Sequence, residues 1–237
     1  MRVLPMTRVF VGLGALVVVG ALAFGGVYWF LLGGSSPRQL TIQPASTASP
    51  ATSASASPGV GTWTVGTGSV AGYRVREQLA GLPAPTDAVG RTSSVTGSFT
   101  LSQSADGYSI SAATITVDVS TLTSDRAMRD RRIHQMGLES DRYPTATFKL
   151  ASPIVLPAAA TTGQTLHVSA TGDLTIHGTT KSVTIPMDAQ LNGSQIQVVG
   201  SLTFPFSEFN MVPPSIGGFV SVQDNATMEF SLLLHQA

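Results

Sequence analysis

The chain has 237 residues, no formal net charge, only 11% charged residues and no cysteine. A balanced, charge-poor composition offers no cluster of Lys and Arg for nucleic acid. The lack of cysteine excludes disulfides, zinc–thiolate and iron–sulfur sites, thiol nucleophiles and an acylated-cysteine anchor.

Residues 1–8 read as a short cytoplasmic N-terminus. Residues 9–32, VFVGLGALVVVGALAFGGVYWFLL, form an uncharged run long enough to cross a hydrocarbon core of ~30 Å as a helix rising ~1.5 Å per residue. Arg2 and Arg8 precede the run, Arg38 is the first charge after it, and Tyr28 and Trp29 sit near its far end. The positive-inside rule then keeps the N-terminus cytoplasmic and exports the rest, giving a single-pass cell-membrane protein with its remaining domain on the extracytoplasmic side. The alternative is a cleaved signal peptide, whose apolar region usually spans ~7–15 residues. Residues 33–61 are rich in Ser, Ala, Thr and Pro and poor in large apolar side chains. Such a stretch is expected to be a disordered linker that holds the following domain off the membrane.

Residues 62–237 are expected to form one domain. From Trp63 onward apolar residues alternate with polar ones, the mark of half-buried strands. The apolar sets are Ala71, Tyr73, Val75; Val95, Gly97, Phe99, Leu101; and Tyr108, Ile110, Ala112, where the phase then shifts to Ala113, Ile115, Val117, Val119. A phase shift inside one segment predicts a β-bulge. After Thr123 the alternation stops: residues 124–142, SDRAMRDRRIHQMGLESDR, begin with an N-cap candidate and are half charged. They predict a short helical insert across one end of the sheet, with Met128, Ile133, Met136 and Leu138 turned inward. Arg126, Arg131 and Arg132 are candidates for binding an anionic head group, against the alternative of a solvated, internally paired face.

Tyr143–Pro144 forces extended geometry, and strands resume with Ala146, Phe148, Leu150; Leu166, Val168, Ala170, Gly172, Leu174, Ile176; and Val183, Ile185, Met187, Ala189, Leu191. The last two sets are Ile196, Val198, Gly200, Leu202, Phe204, Phe206, and Ala226, Met228, Phe230, Leu232, Leu234. His177 lies in HGTT between two of these strands and reads as a hairpin residue rather than a catalytic group. About eight one-faced strands joined by short turns can fold as a sandwich or close as a barrel, and sequential hairpins favour the barrel. The small residues on the inward face, among them Ala170, Gly172 and Gly200, either leave room for one ligand or relieve strain in coiled strands.

Catalytic motifs are sparse. No G-x-S-x-G elbow, P-loop or H-E-x-x-H is present, and the four histidines are scattered without metal spacing. Glu77 is in phase with the apolar set of its strand, so it either lines a pocket or marks the strand's end.

Against this background the chain resembles the YceI-like family, also described as lipid- or polyisoprenoid-binding. The likeness rests on TWTV with GSVAGYRVRE, on VTGSFTL, and on VDVSTLTSDRAMRDRRIHQMGLESDRYPTATFKL with its Arg129–Asp130 and Tyr143–Pro144. GDLTIHGTTKSVTIPM is similar to a second signature, and SLTFPFSEFNMVPPSIGG to a third, although Phe206–Asn210 departs from the usual pattern there. The resemblance implies an all-β, eight-stranded, antiparallel lipocalin-like barrel with a short helical insert. It also implies an apolar interior that binds a polyprenyl or quinone-like lipid, structural roles for Arg129 and Asp130, and no chemical reaction, cofactor or metal. The inward residues expected to meet such a ligand are Tyr73, Val75, Phe99, Leu101, Ile115, Met128, Ile133, Met136, Phe148, Leu150, Val168, Ala170, Leu174, Ile176, Val183, Ile185, Leu202, Phe204, Phe206, Met228 and Phe230. The expectation is a membrane-tethered carrier. The alternatives are an enzyme acting on such a lipid through Glu77 or His134, and a stalk-displayed interaction module with a filled barrel.

Overall fold

The structure is a computed structural model, and it describes residues 36–43, 59–80, 85–104, 107–157, 163–214 and 220–237. The expected membrane span, residues 9–32, lies outside the described residues. Among the described residues no helix is long and apolar enough to cross a membrane.

The period-two segments form strands wherever the sequence alternates. They are β1 (Gly61–Val65), β2 (Val70–Leu79), β3 (Thr86–Thr92), β4 (Val95–Ser104), β5 (Gly107–Asp118), β6 (Thr145–Leu150), β7 (Ile154–Pro157), β8 (Thr165–Ile176), β9 (Thr179–Asn192), β10 (Gln195–Phe204) and β11 (Val220–Gln236). Every pairing is antiparallel, and the order β1–β4–β5–β6–β8–β9–β10–β11 closes on itself because β1 also pairs with β11. The result is an eight-stranded antiparallel barrel. The expected strand number therefore holds, but the ring differs in one member from the eight apolar sets. β1 closes it, through Trp63↔Phe99 and Trp63↔Gln236, while β2 pairs with the long β11 elsewhere along its length and carries β3 on its outer side.

The predicted bulge is present. Thr100 pairs with Ala112 and Leu101 with Ile110, so Ser111 has no opposite residue in β4. The extra residue is what lets Ile110 and then Ala113, Ile115 and Val117 all reach the interior. Between β8 and β9 the loop is only His177–Gly178, both with positive φ (51° and 69°). That backbone is the two-residue turn whose twist matches a hairpin, and the flanking threonines of HGTT already belong to β9.

On the outer face, threonines stand opposite one another across strands and hydrogen bond: Thr171 with Thr184 (2.9 Å), Thr175 with Thr180 (2.8 Å) and Thr203 with Thr227 (2.7 Å). Such pairs stabilise a solvated sheet face by a few tenths of a kcal/mol to about 1 kcal/mol each. Outward-facing Glu229 is nevertheless buried, held by Arg91 (2.7 Å) and Arg74 (3.4 Å), and Arg74 also reaches Asp87 (3.1 Å). Part of the expected linker lies on this face. The Arg38 carbonyl accepts from Arg91 at 2.5 Å, and the Gln43 amide donates to Gln197 Oε1 at 3.0 Å. Residues 36–43 have no helix or strand, but Arg38 and Gln43 are tied to the barrel.

The helical insert follows β5. A 3₁₀ turn (Val119–Thr121) leads to α1 (Ala127–Arg132), which continues into a π-type turn (Ile133–Gly137). Ser124 does not cap α1; its amide and hydroxyl both bond Asp130 Oδ1 (2.9 and 2.6 Å), pinning the entry loop to the helix. The interior packs as two clusters. One, at the insert end, contains Val75, Leu174, Ile176, Phe204, Phe206 and Phe209; the other, around Trp63, contains Phe99, Leu101, Tyr108 and Leu234.

Candidate functional site

Between the two clusters the barrel is not filled. A cavity of about 290 Å³ runs along its interior, near the lower end of the ~300–1,000 Å³ typical of ligand sites. Its wall is almost wholly apolar and draws on nine strands, from Leu234, Leu191 and Ile196 at one end to Ile176, Phe206 and Met211 at the other. The insert supplies the cap at that second end through Leu122, Ile133, Gly137 and Leu138.

The openness has a local cause. A Cβ at Gly200 would lie 2.6 Å from Cζ of Phe230, one at Gly172 would lie 2.5 Å from Cζ of Phe148, and one at Gly90 would lie 2.6 Å from Cζ of Tyr73. At each of these positions an aromatic ring from a neighbouring strand covers the missing side chain, as in the covering of strand glycines by aromatic residues. A ring laid over a glycine does not stand in the lumen. Gly172 and Gly200 thus leave room indirectly, through the rings they accommodate, whereas Ala170, Ala146 and Ala189 do so directly as parts of the wall. Gly97 has the other role considered from the sequence, strain relief: its φ is +143°, and a Cβ would meet the backbone of Thr114 and Ile115.

Of the residues expected to line the interior, Tyr73, Val75, Phe99, Leu101, Ile115, Ile133, Phe148, Leu150, Val168, Ala170, Leu174, Ile176, Ile185, Phe204, Phe206, Met228 and Phe230 do so. Val183 and Leu202 have the inward parity but pack into the cluster at the insert end without forming cavity wall. Parity fixes the face; whether a side chain reaches the lumen depends on the rings beside it. Met128 and Met136 are corrected outright: both are exposed. The inward line of the insert is instead Arg129, Ile133 and Gly137, because Arg129 Nη2 donates to buried Glu77 Oε1 at 2.5 Å and thereby sets the rotation of α1.

That ion pair accounts for Glu77 and for the Arg129–Asp130 signature. Burial opposes the charge on Arg129, but its hydrogen bonds and charge interactions with Glu77 and Asp125 outweigh that and raise its pKa. Glu77 and Arg129 tie the cap to the barrel, while Asp130 fixes the insert's entry through Ser124. Beside them, burial pushes the Tyr73 hydroxyl pKa up, so this group stays protonated. Arg126, Arg131 and Arg132 form no part of the cavity wall: Arg126 faces Asp125 (3.7 Å), Arg131 is exposed, and Arg132 Nη1 sits 3.8 Å from Met136 Sδ.

The histidines with the best claim to chemistry are engaged in structure. His134 uses both ring nitrogens, with Ser140 Oγ at 2.7 Å and the Leu122 carbonyl at 3.0 Å. His177 lies edge-on to Tyr143, with ring centroids 4.6 Å apart, and its Nδ1 is 3.3 Å from the Phe209 carbonyl. Among the described residues no group of three or more His, Asp or Glu is placed to hold a metal ion.

Several wall residues escape a sequence reading. Leu122 closes a three-residue 3₁₀ turn, Ile154 and Leu156 lie on four-residue β7, and Met211 and Pro214 follow the short 3₁₀ helix Phe206–Phe209. Segments this short display no period, although IVLP does alternate.

The YceI-like domain family model matches residues 63–234. Among solved structures, a polyisoprenoid binding domain from Saccharophagus degradans implicated in plant cell wall breakdown has a TM-score of 0.55 at 14% identity, covering 76% of this chain and 100% of that one. That likeness speaks for the fold. Burkholderia cenocepacia BcnA is 21% identical with a TM-score of 0.49, covering 69% of this chain and 95% of that one. A Campylobacter jejuni YCEI protein is 12% identical with a TM-score of 0.47, covering 85% and 99% respectively. No curated protein matches the chain by sequence.

Proposed function

The chain belongs to the YceI-like domain family, and from that membership we propose that it is a membrane-tethered extracytoplasmic carrier whose barrel encloses one apolar isoprenoid-type lipid, such as a polyprenyl or quinone-like chain. The observation that carries the reading is the continuous apolar cavity of about 290 Å³, capped by the insert. A cavity lined in this way stays dry unless an apolar guest fills it. Binding draws on burial alone, at about 0.8 kcal/mol for each CH2 group removed from water. No proton needs to move, which suits a site where Glu77 and His134 are already committed to partners. Residues 9–32 would supply the membrane anchor, with the barrel on the extracytoplasmic side.

The test is mass spectrometry of organic extracts from the purified barrel, residues 38–237, which form one compact unit. A stoichiometric isoprenoid-type lipid is the expected result. A barrel with no extractable lipid, and no uptake of added polyprenol or quinone, would overturn the proposal.

A further inference from the structure

The cap has an outer face that the carrier reading leaves unused. Met128, Arg132 and Met136 follow one another at four-residue spacing, which places them in one stripe along the insert. Both methionines are exposed, at 69% and 53%, and Val212 is 71% exposed on the loop whose neighbour Met211 lines the same end of the cavity. Leu138 of the insert and Met211 pack in one cluster, so the two segments meet at this end of the barrel. Single exposed apolar side chains are ordinary. Here, however, they lie on the two segments that also close the cavity.

Arg74 and Arg76 bond Asp87, Arg91 bonds Glu229, Arg126 faces Asp125, and Arg129 bonds Glu77 and Asp125. Among the described residues Arg131 and Arg132 are the arginines of α1 with no acidic partner, and Arg132 rests on Met136. Of the acids in the same segment, Glu139 stands 3.5 Å from His177, and exposed Asp141 partly offsets the excess. Uncompensated cations beside flexible apolar side chains match a lipid–water interface: phosphates meet the guanidinium groups while thioethers enter the acyl boundary.

We propose that the outer face of the insert, Met128–Arg132–Met136 with Arg131 and Val212, is the surface by which the barrel docks on an anionic lipid bilayer. The inner side of this cap is cavity wall, so docking would bring the closed end of the cavity against the phase where an apolar cargo resides. The significance of docking for cargo exchange rests on the carrier reading; the docking itself does not.

The experiment uses residues 38–237, which contain none of the N-terminal apolar run, sedimented with vesicles of phosphatidylcholine alone or with about one-third phosphatidylglycerol. At about fivefold per arginine near an anionic surface, partition into the anionic vesicles should exceed partition into the neutral ones by about tenfold or more for the two arginines together and fall with added salt. Arg131→Gln with Arg132→Gln should abolish that selectivity. Met128→Ser with Met136→Ser should weaken binding to both vesicles, and each pair should leave the circular dichroism spectrum unchanged because none of these side chains is buried. Absence of vesicle binding, equal binding to both compositions, or variants that bind like the parent would overturn the proposal. Lipid extraction separates the two readings: a lipid-loaded barrel that ignores vesicles overturns docking alone, and an empty barrel that binds them overturns the carrier alone.

Discussion

Ala170→Phe offers the most direct test of an open barrel. Ala170 is buried on β8, lines the cavity, and stands opposite Ile185 of β9. Phenylalanine adds about six carbons at this point, and in an open barrel they enter space that the ligand would occupy. Excluding a matching length of ligand forfeits about 0.8 kcal/mol per carbon, or about 5 kcal/mol, which is more than a thousandfold in Kd. Stability should change little, by less than about 1 kcal/mol, since the ring fills a void rather than displacing a neighbour. In a barrel packed to native density the same substitution would cost about 1–3 kcal/mol or more. Urea unfolding measures the first quantity, and titration with a fluorescent polyprenol or quinone analogue the second. A variant destabilised by more than about 2 kcal/mol that still binds the probe like its parent would refute the reasoning. Gly200 is a poorer site for this test, because any Cβ there meets Phe230, Met187 Cγ and the Pro186 carbonyl at 2.6–3.0 Å before it reaches the lumen.

Further outcomes follow from individual contacts. Glu77→Ala removes the buried partner of Arg129 at the cap and leaves it only half-exposed Asp125, so urea unfolding should show a loss of about 3 kcal/mol; a loss below about 1 kcal/mol would mean that the pair does not hold the insert. The hydrogen bond from Arg76 lowers the Asp87 pKa, partial burial opposes the shift, and Arg74 adds to the lowering. Its stabilising contribution is therefore complete above the ordinary carboxylate range, near pH 4, and is lost as pH falls through the depressed value. Asp87→Asn should remove that part of the acid-induced loss, by less than about 1 kcal/mol given the 27% exposure of Asp87, as read from melting temperatures across pH 2–5. A chain beginning at Gly59 should fold, since β1 begins at Gly61. It should be less stable than one beginning at Arg38 by about 1–2 kcal/mol, because it lacks the bonds of Arg38 and Gln43 to the barrel. Equal melting of the two chains would show that residues 38–43 contribute nothing.

Local pattern made much of this molecule legible. Alternation located β2, β4 to β6 and β8 to β11, the phase shift after Ala112 showed that β5 carries a bulge, which the pairing places at Ser111, and the charged break in alternation located the insert. The same parity named most of the cavity wall, because in a strand the face a side chain occupies depends only on whether its position is odd or even. The hairpin at HGTT was readable as a turn, but the structure shortens it from four residues to His177–Gly178, both with positive φ, and gives the threonines to β9. Tertiary structure alone decided what depends on residues far apart in the chain. Closure of the ring through β1 rests on Trp63 meeting Gln236 at the other end of the domain. The open lumen rests on Phe230 covering Gly200 and Phe148 covering Gly172, arrangements that no single strand contains. The orientation of α1 was equally hidden. A six-residue helix has too few turns to define an apolar stripe, and a long-range ion pair from Arg129 to Glu77, not hydrophobic periodicity, turned Met128 and Met136 toward solvent.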